Sequence, residues 1–188
     1  MSHITSLPNL LTLLRILLIP FFIIVFYLPI EGAHQFAAII FALASFTDWL
    51  DGYLARKLKQ MSPFGAFLDP VADKLLVATS LLLLVGGKDI DYITLPAIII
   101  VGREIVISAL REWMAEIGNR AHVAVSYIGK VKTVLQMFAL FLLLAFNPTV
   151  SWWGIIGFIL LYLSAILTIW SMTVYLMIAW PTLTKKNV

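Results

Sequence analysis

The amino-acid sequence predicts an all-α integral membrane protein, with six transmembrane helices preceded by a short interfacial amphipathic helix. Of its 188 residues, 62% are hydrophobic and only 12% are charged, whereas a soluble domain carries about 25% charged residues. The mean hydropathy is +1.00. Apolar runs near the length of about 20 residues that a membrane helix needs cover most of the chain. We therefore expect a single membrane domain over residues 1–188.

The first element is expected to lie at the membrane surface. Residues 1–13 mix Ser6, Pro8, Asn9 and Thr12 with leucine and isoleucine, which is typical of a short interfacial helix. The second and third membrane helices are joined by a short basic stretch, and short linkers separate the other helices. Aromatic residues, which favour the headgroup region, lie at several predicted ends: Phe26, Tyr27, Tyr92, Trp152, Trp153 and Trp180. The apolar runs predict helices at 14–30, 36–58, 65–86, 92–116, 124–146 and 151–180, and a cytoplasmic tail at 181–188.

The basic residues indicate how the chain is oriented. Lysine and arginine collect on the cytoplasmic side of membrane proteins. If the N-terminus is inside, the outer loops hold only Lys88. The inner side then collects Arg56, Lys57, Lys59, Arg120, Lys130, Lys132, Lys185 and Lys186. We therefore expect both termini to be cytoplasmic.

Four aspartates lie at the inner ends of two successive predicted membrane helices. Asp48 and Asp51 are three residues apart, and Asp69 and Asp73 are four apart, so each pair shares a helix face. Four carboxylates this close cannot all stay ionised without compensation. Hard divalent cations prefer oxygen ligands, and the absence of histidine or cysteine from the group argues against zinc. The sequence therefore predicts a metal site, and two metal ions would suit phosphoryl transfer.

Other residues of this segment suggest a phosphate-containing substrate. Gly52 and Gly65 leave room for a substrate near the backbone, although close helix packing is an alternative reading. Arg56 carries a guanidinium that matches phosphate oxygens, although it is also placed as an ordinary positive-inside anchor. Asp73 is positioned to bind metal, to accept a proton from an attacking hydroxyl, or to do both.

The pattern Asp48-x2-Asp51-Gly52-x2-Ala55-Arg56-x8-Gly65-x3-Asp69-x3-Asp73 resembles the complete signature of the CDP-alcohol phosphotransferase family. All eight signature positions match over 26 residues. The resemblance implies a transferase that binds two Mg²⁺ or Mn²⁺ ions through all four aspartates, with Asp73 also serving as the catalytic base. It further implies that Gly52, Ala55, Arg56 and Gly65 line the site for the CDP-lipid. Asn9, Thr12 and Arg15 are expected to face the same cytoplasmic layer and to contact nucleotide or lipid headgroup.

Longer segments resemble one bacterial branch of this family. They lie at residues 64–74, 102–105, 110–113 and 129–133. That likeness implies transfer from CDP-diacylglycerol to glycerol 3-phosphate, giving phosphatidylglycerol phosphate and CMP in the bacterial inner membrane, with the active site on the cytoplasmic side. The acceptor is a dianion and needs a basic pocket, for which the candidates are Arg103, Arg111, Lys130 and Lys132. Family members often form homodimers, and we expect membrane lipids but no nucleic acid among the partners.

Two alternatives remain open at this point. The aspartate motif does not separate glycerol 3-phosphate from other acceptors such as inositol phosphate, serine or phosphatidylglycerol. Carboxylates between membrane helices also line ion pathways, so a divalent-cation transporter is the alternative from a different class. Against a transporter, all four aspartates lie near one membrane face, and no comparable polar ladder continues through the outer half of the second and third helices.

Overall fold

The computed structural model describes residues 6–58, 62–87, 90–117 and 127–184. The side chains of residues 49, 55, 56, 58, 127, 128, 130 and 181–184 are outside this description. The predicted positions at residues 1–5, Lys59, Lys88, Arg120, Lys185 and Lys186 also lie outside it. The described residues form the helices α1 Leu7–Phe26, α2 Ala33–Leu58, α3 Pro63–Gly86, α4 Thr94–Glu116, α5 Tyr127–Ala145 and α6 Trp152–Thr184. The predicted all-α class is therefore confirmed for this part of the chain.

The helices fit a membrane-bound protein. Within the described residues, Leu7–Phe26, Ala33–Leu54 and Trp152–Trp180 are each long and apolar enough to cross a bilayer, and Val131–Ala145 is a shorter apolar helix. Large apolar side chains such as Leu17 and Trp170 are exposed on the outer surface of the bundle. Such a surface is costly in water and favourable in lipid.

Helix α1 differs from the prediction at both ends. It begins at Leu7 with Pro8 in its first turn, where the missing N–H of proline has no helical partner to lose. It then continues without a break past residue 13, so the described part of the predicted interfacial segment is the start of α1. The helix ends at Phe26, shortly before Pro29, because the residue preceding a proline disfavours the helical conformation.

The other five helices agree with their predicted limits to within four residues at each end. Residues 181–184 were predicted as the beginning of a tail and instead continue α6. With about 1.5 Å rise per residue, the 33 residues of α6 are longer than the bilayer core requires.

Helices α1, α2 and α3 pack together, and α2 also contacts α5, which packs along α6. Their shared core is apolar, with Phe22, Phe41, Leu81, Leu140 and Leu161 almost completely buried. A smaller cluster joins α4 to α6 through residues such as Met114 and Tyr175. This packing brings the start of α1, the end of α2 and the start of α3 to one place, and the predicted aspartates lie there.

Candidate active site

The start of α3 is fixed by a local cap. The hydroxyl of Ser62 accepts a hydrogen bond from the backbone N–H of Gly65 at 2.9 Å, and Pro63 occupies the first turn. Both features favour a helix that begins at this point. Asp69 and Asp73 consequently fall in the second and third turns of α3. They face the last turns of α2, which carry the other two aspartates.

Arg15 of α1 joins the two aspartates of α2. Its side chain is completely buried, and Nη1 lies 2.6 Å from Asp48 Oδ1 while Nη2 lies 2.5 Å from Asp51 Oδ2. The Asp51 side chain is 3% exposed, whereas that of Asp48 is 45% exposed. Charge-assisted hydrogen bonds of this kind are among the stronger ones in proteins. Arg15 therefore holds the two carboxylates in one arrangement.

Thr12, one turn before Arg15, links α2 to α3. Its Oγ1 lies 2.7 Å from Asp69 Oδ1 and 3.2 Å from Asp51 Oδ2. A hydroxyl has one hydrogen to donate, and the shorter contact is the one to Asp69. Together, Thr12 and Arg15 bring three of the four predicted metal ligands into one hydrogen-bonded group.

Asn9 completes the polar face of α1. It is 2% exposed, and its Oδ1 accepts a hydrogen bond from the hydroxyl of Ser62 at 3.0 Å. A Cβ atom added at Gly65 would lie 2.5 Å from the same oxygen. The missing side chain at Gly65 thus permits α1 and α3 to approach closely. Asn9, Thr12 and Gly65, which were predicted to bind the CDP-lipid, are brought together here.

Asp73 is partly exposed and interacts electrostatically with charged groups on several helices. These groups include Arg15 of α1, Asp48 of α2 and Glu104 of α4. Gly52 follows Asp51 in α2 and is also partly exposed. The signature residues Ala55 and Arg56 belong to the next turn of α2, and their side chains lie outside the described residues.

The donor atoms of this group fit a hard divalent cation. All four candidate ligands are carboxylates, which suit Mg²⁺ or Mn²⁺ better than softer metals. Arg15 engages one oxygen each of Asp48 and Asp51, so the second oxygen of each is left for a cation. Among the described residues, no three acidic or histidine side chains already lie at metal-binding spacing. The chemistry of the donor atoms thus suits such a cation, whereas their spacing does not by itself form a metal site among the described residues.

The predicted acceptor residues are only partly brought together. Arg103 of α4 forms an ion pair with the neighbouring Glu104, and Lys132 Nζ of α5 lies 3.7 Å from Glu104 Oε1. The Arg103 and Lys132 side chains are 13% and 3% exposed. Arg103 Nε is buried without a hydrogen-bond partner among the described residues. One buried cation, Lys132, and one partly buried cation, Arg103, thus converge on the carboxylate of Glu104, and Arg103 Nε is still able to donate a hydrogen bond.

The other two predicted acceptor residues differ from this pair. Arg111 is exposed, and its guanidinium carbon lies 5.8 Å from the centre of the Tyr175 ring on α6. Among the described residues, Glu104 forms its ion pairs with Arg103 and Lys132 rather than with Arg111. Lys130 lies in α5, and its side chain lies outside the described residues.

A cavity of about 420 Å³ separates α3 from α4 beside this cluster. Lys74, Glu104, Ser108 and Glu112 form its polar side, and Lys74 Nζ donates a hydrogen bond to Ser108 Oγ at 2.6 Å. Asp73 precedes Lys74 in α3 but is not among the residues that line the cavity. A second cavity, of about 310 Å³, is lined by Phe26, Asn147 and others, and none of the predicted site residues lines it.

Sequence reasoning missed three contributors to the site. Arg15 was expected to contact nucleotide or lipid headgroup, whereas it bonds the aspartates. Ser62 and Glu104 were not singled out as site residues. The spacing Asn9-x2-Thr12-x2-Arg15 was the available signal, because residues three apart lie on one side of a helix.

Comparison with known proteins shows what the chain is similar to. The model of the CDP-alcohol phosphatidyltransferase family matches residues 5–170. A relative from Pseudomonas fluorescens is 54% identical over 179 residues, which cover 95% of this chain and 92% of the relative. A relative from Haemophilus influenzae is 56% identical over 175 residues, covering 93% of each chain. One from Salmonella typhimurium is 54% identical over 171 residues, covering 91% of this chain and 93% of the relative. All three are named CDP-diacylglycerol–glycerol-3-phosphate 3-phosphatidyltransferase.

Proposed function

The chain belongs to the CDP-alcohol phosphatidyltransferase family, and we propose that it transfers the phosphatidyl group of CDP-diacylglycerol to glycerol 3-phosphate. The products are phosphatidylglycerol phosphate and CMP. One observation carries the proposal: relatives that are 54% and 56% identical over almost the whole chain bear the name of this enzyme. The aspartate group at the inner ends of α2 and α3 supplies the chemistry that the reaction needs.

The proposed donor site lies around the four aspartates. Asp48, Asp51, Asp69 and Asp73 would hold Mg²⁺ or Mn²⁺, as two ions by resemblance to the family, and the bound metal would neutralise charge on the diphosphate. Gly52, Ala55, Arg56 and Gly65, with Asn9 and Thr12, form the remainder of the proposed CDP-lipid site. The burial of Asn9 and Thr12 beside Gly65 and Asp69 supports this grouping.

The proposed chemical step is a displacement at phosphorus. Asp73 takes the proton from the attacking hydroxyl of glycerol 3-phosphate, and the hydroxyl oxygen forms a bond to the phosphorus that carries diacylglycerol. The bond between this phosphorus and the oxygen of CMP breaks, and CMP leaves with the electron pair. Positioning and charge stabilisation dominate such transfers, so the protein needs few reactive groups.

The proposed acceptor site lies on α4 and α5. Arg103 and Lys132 provide two positive charges for the phosphate of glycerol 3-phosphate, and guanidinium groups match phosphate geometry well. Their convergence at Glu104, which interacts electrostatically with Asp73, supports a location next to the catalytic base. Lys130 and Arg111 complete the proposed set, although Arg111 would have to leave the Tyr175 ring to take part.

We also propose a topology and an orientation for the protein in the membrane. Six helices cross the bacterial inner membrane, and both termini and the active site face the cytoplasm. The distribution of lysine and arginine in the sequence supports this orientation. A lipid donor and a water-soluble acceptor can both reach a site at the cytoplasmic surface. We also propose a homodimer, which the apolar outer surface permits.

The direct test is CMP release by the purified protein in detergent. The reaction contains CDP-diacylglycerol and Mg²⁺, with glycerol 3-phosphate, inositol phosphate, serine, phosphatidylglycerol or no acceptor, and EDTA serves as the metal control. Release that requires both glycerol 3-phosphate and metal is the expected result. Release with another alcohol alone would contradict the acceptor and retain the chemistry. Folded protein that releases no CMP with any alcohol would contradict the transferase, and ion flux would then be measured.

A further inference from the structure

We infer that Arg15 is a positioning residue for metal binding. It fixes one oxygen of Asp48 and one of Asp51, so that the second oxygen of each carboxylate is kept for a cation. The inference rests on the proposed metal-dependent function. It differs from the expectation drawn from the sequence, in which Arg15 contacts nucleotide or lipid headgroup.

The burial of Arg15 favours a role in positioning the aspartates over a role in contacting nucleotide or lipid headgroup. Its side chain is completely buried, and both terminal nitrogens are used on carboxylates, at 2.6 Å and 2.5 Å. A guanidinium in this position cannot reach a substrate without breaking two charge-assisted hydrogen bonds inside the protein. Its contacts therefore assign Arg15 to the aspartates and not to a ligand in the open part of the site.

Charge supports the same assignment. Asp48 and Asp51 lie one helical turn apart, and Asp51 also interacts electrostatically with Asp69. Carboxylates at such distances repel one another unless a cation is near. Arg15 is a permanent cation within this group, so it reduces the repulsion at any concentration of metal.

The shape of the side chain adds a geometric argument. A guanidinium is planar and presents its two terminal nitrogens at a fixed separation. One nitrogen contacts Asp48 and the other contacts Asp51, so the fork sets the orientation of the carboxylates relative to each other. Thr12, one turn earlier on the same face of α1, extends the arrangement to Asp69. A lysine at position 15 would retain the charge and lose the fork.

The test measures Mn²⁺ binding to the purified protein in detergent without substrate, from the electron paramagnetic resonance signal of free Mn²⁺. Partners that orient metal ligands typically contribute about 10- to 100-fold to metal affinity. We expect Arg15→Met to weaken Mn²⁺ binding by about this factor and Arg15→Lys to weaken it less. Lys57→Met is the control, since Lys57 is an exposed cation that lies over the Tyr53 ring, and it should bind Mn²⁺ like the unmodified protein. In turnover assays, Arg15→Met should raise the Mg²⁺ concentration required, with the KM for glycerol 3-phosphate unchanged at saturating Mg²⁺.

Several outcomes would overturn the inference. Equal or tighter Mn²⁺ binding by Arg15→Met would show that Arg15 does not prepare the aspartates for metal. Unmodified affinity in Arg15→Lys would show that charge suffices without the fork. If Arg15→Met does not fold, as judged by helical circular dichroism, the lysine variant alone decides. Absence of Mn²⁺ binding by the unmodified protein would instead contradict the metal site of the proposed function, so the two failures are distinguishable.

Discussion

At the scale of single residues, the four aspartates have different surroundings although they belong to one motif. The Asp51 side chain is buried between Arg15 and Thr12, while that of Asp48 is nearly half exposed. Asp73 is partly exposed and interacts electrostatically with both the aspartate group and Glu104. A general base must reach the proton that it takes from the acceptor. We propose Asp73 for that role, since Arg15 engages Asp48 and Asp51 and Thr12 engages Asp69.

The role of Asp73 predicts a specific loss of activity. Asp73→Asn removes a carboxylate that accepts a proton and keeps the size of the side chain. Loss of a general base lowers turnover by about 100- to 10,000-fold, while binding of CDP-diacylglycerol should be partly retained. Asp91→Asn, at an exposed aspartate before α4, is the matched control. Near-normal CMP release by Asp73→Asn would show that another group takes the proton.

The proposed acceptor site predicts that removing the charge of Arg103 or Lys132 weakens the binding of glycerol 3-phosphate. Replacing either by alanine removes a cation from the proposed phosphate pocket. A hydrogen bond to a charged group contributes about 1.5–3 kcal/mol, so the KM for glycerol 3-phosphate should rise roughly 10- to 100-fold. The KM for CDP-diacylglycerol should change much less.

The control for this pair is Lys57→Ala, because Lys57 is exposed and lies over the Tyr53 ring rather than near Glu104. Steady-state kinetics with each substrate varied in turn provide the measurement. Equal rises in both KM values would indicate a general disturbance of the site and would argue against an acceptor pocket at α4 and α5.

At the scale of helices, apolar runs in the sequence predicted all the described elements. The accuracy of the predicted helix limits differed from one element to the next. The start of α3 is marked by Ser62 and Pro63, and the predicted start was two residues away. The start of α1 was missed because Asn9 and Thr12 were read as surface residues. They are polar because they contact α2 and α3 inside the bundle. Polarity within one helix does not distinguish water from a neighbouring carboxylate.

The same reasoning explains which parts of the site were predictable. The aspartate pairs follow from spacing on one helix, so the sequence predicted them directly. The bonds of Arg15 to Asp48 and of Lys132 to Glu104 join different helices. They depend on how the helices pack, and no local spacing specifies that packing. The family, predicted from the signature, is confirmed by the family model and the close relatives.

Close packing of α5 against α6 provides a prediction at this scale. A Cβ atom at Gly157 of α6 would lie 2.8 Å from Leu142 Cβ and 3.2 Å from the backbone oxygen of Ala139. Small residues allow membrane helices to approach in this way. Gly157→Ala should therefore destabilise the protein by about 1–3 kcal/mol, the usual cost of overpacking.

The matched control is Gly102→Ala in α4, because an added Cβ there meets no atom within 4 Å among the described residues. Alanine is favoured over glycine in a helix by about 1 kcal/mol, so this variant should be as stable as the unmodified protein or more so. Thermal unfolding in detergent compares the two. Equal melting temperatures for Gly157→Ala and the unmodified protein would mean that α5 and α6 separate easily.

At the scale of the whole molecule, polar and apolar layers are separated along the bundle. The polar residues and the aspartates lie together at one end of the bundle, where α1 begins, α2 ends and α3 begins, while the apolar core extends from there through the bundle. Buried charges are costly in a membrane unless they are paired. The pairing of Arg15 with two aspartates satisfies this requirement and keeps the reactive groups near one face.

The orientation of that face can be tested because the chain has no cysteine. Val150 lies between α5 and α6 and is 87% exposed. Glu116 is exposed at the C-terminal end of α4. If the aspartates face the cytoplasm, a membrane-impermeant maleimide should label Val150→Cys in intact spheroplasts. It should label Glu116→Cys only after the membrane is disrupted. The cysteine-free protein controls for background, and CMP release shows that each variant is folded. The reverse labelling pattern would place the active site outside and contradict the orientation expected from the basic residues.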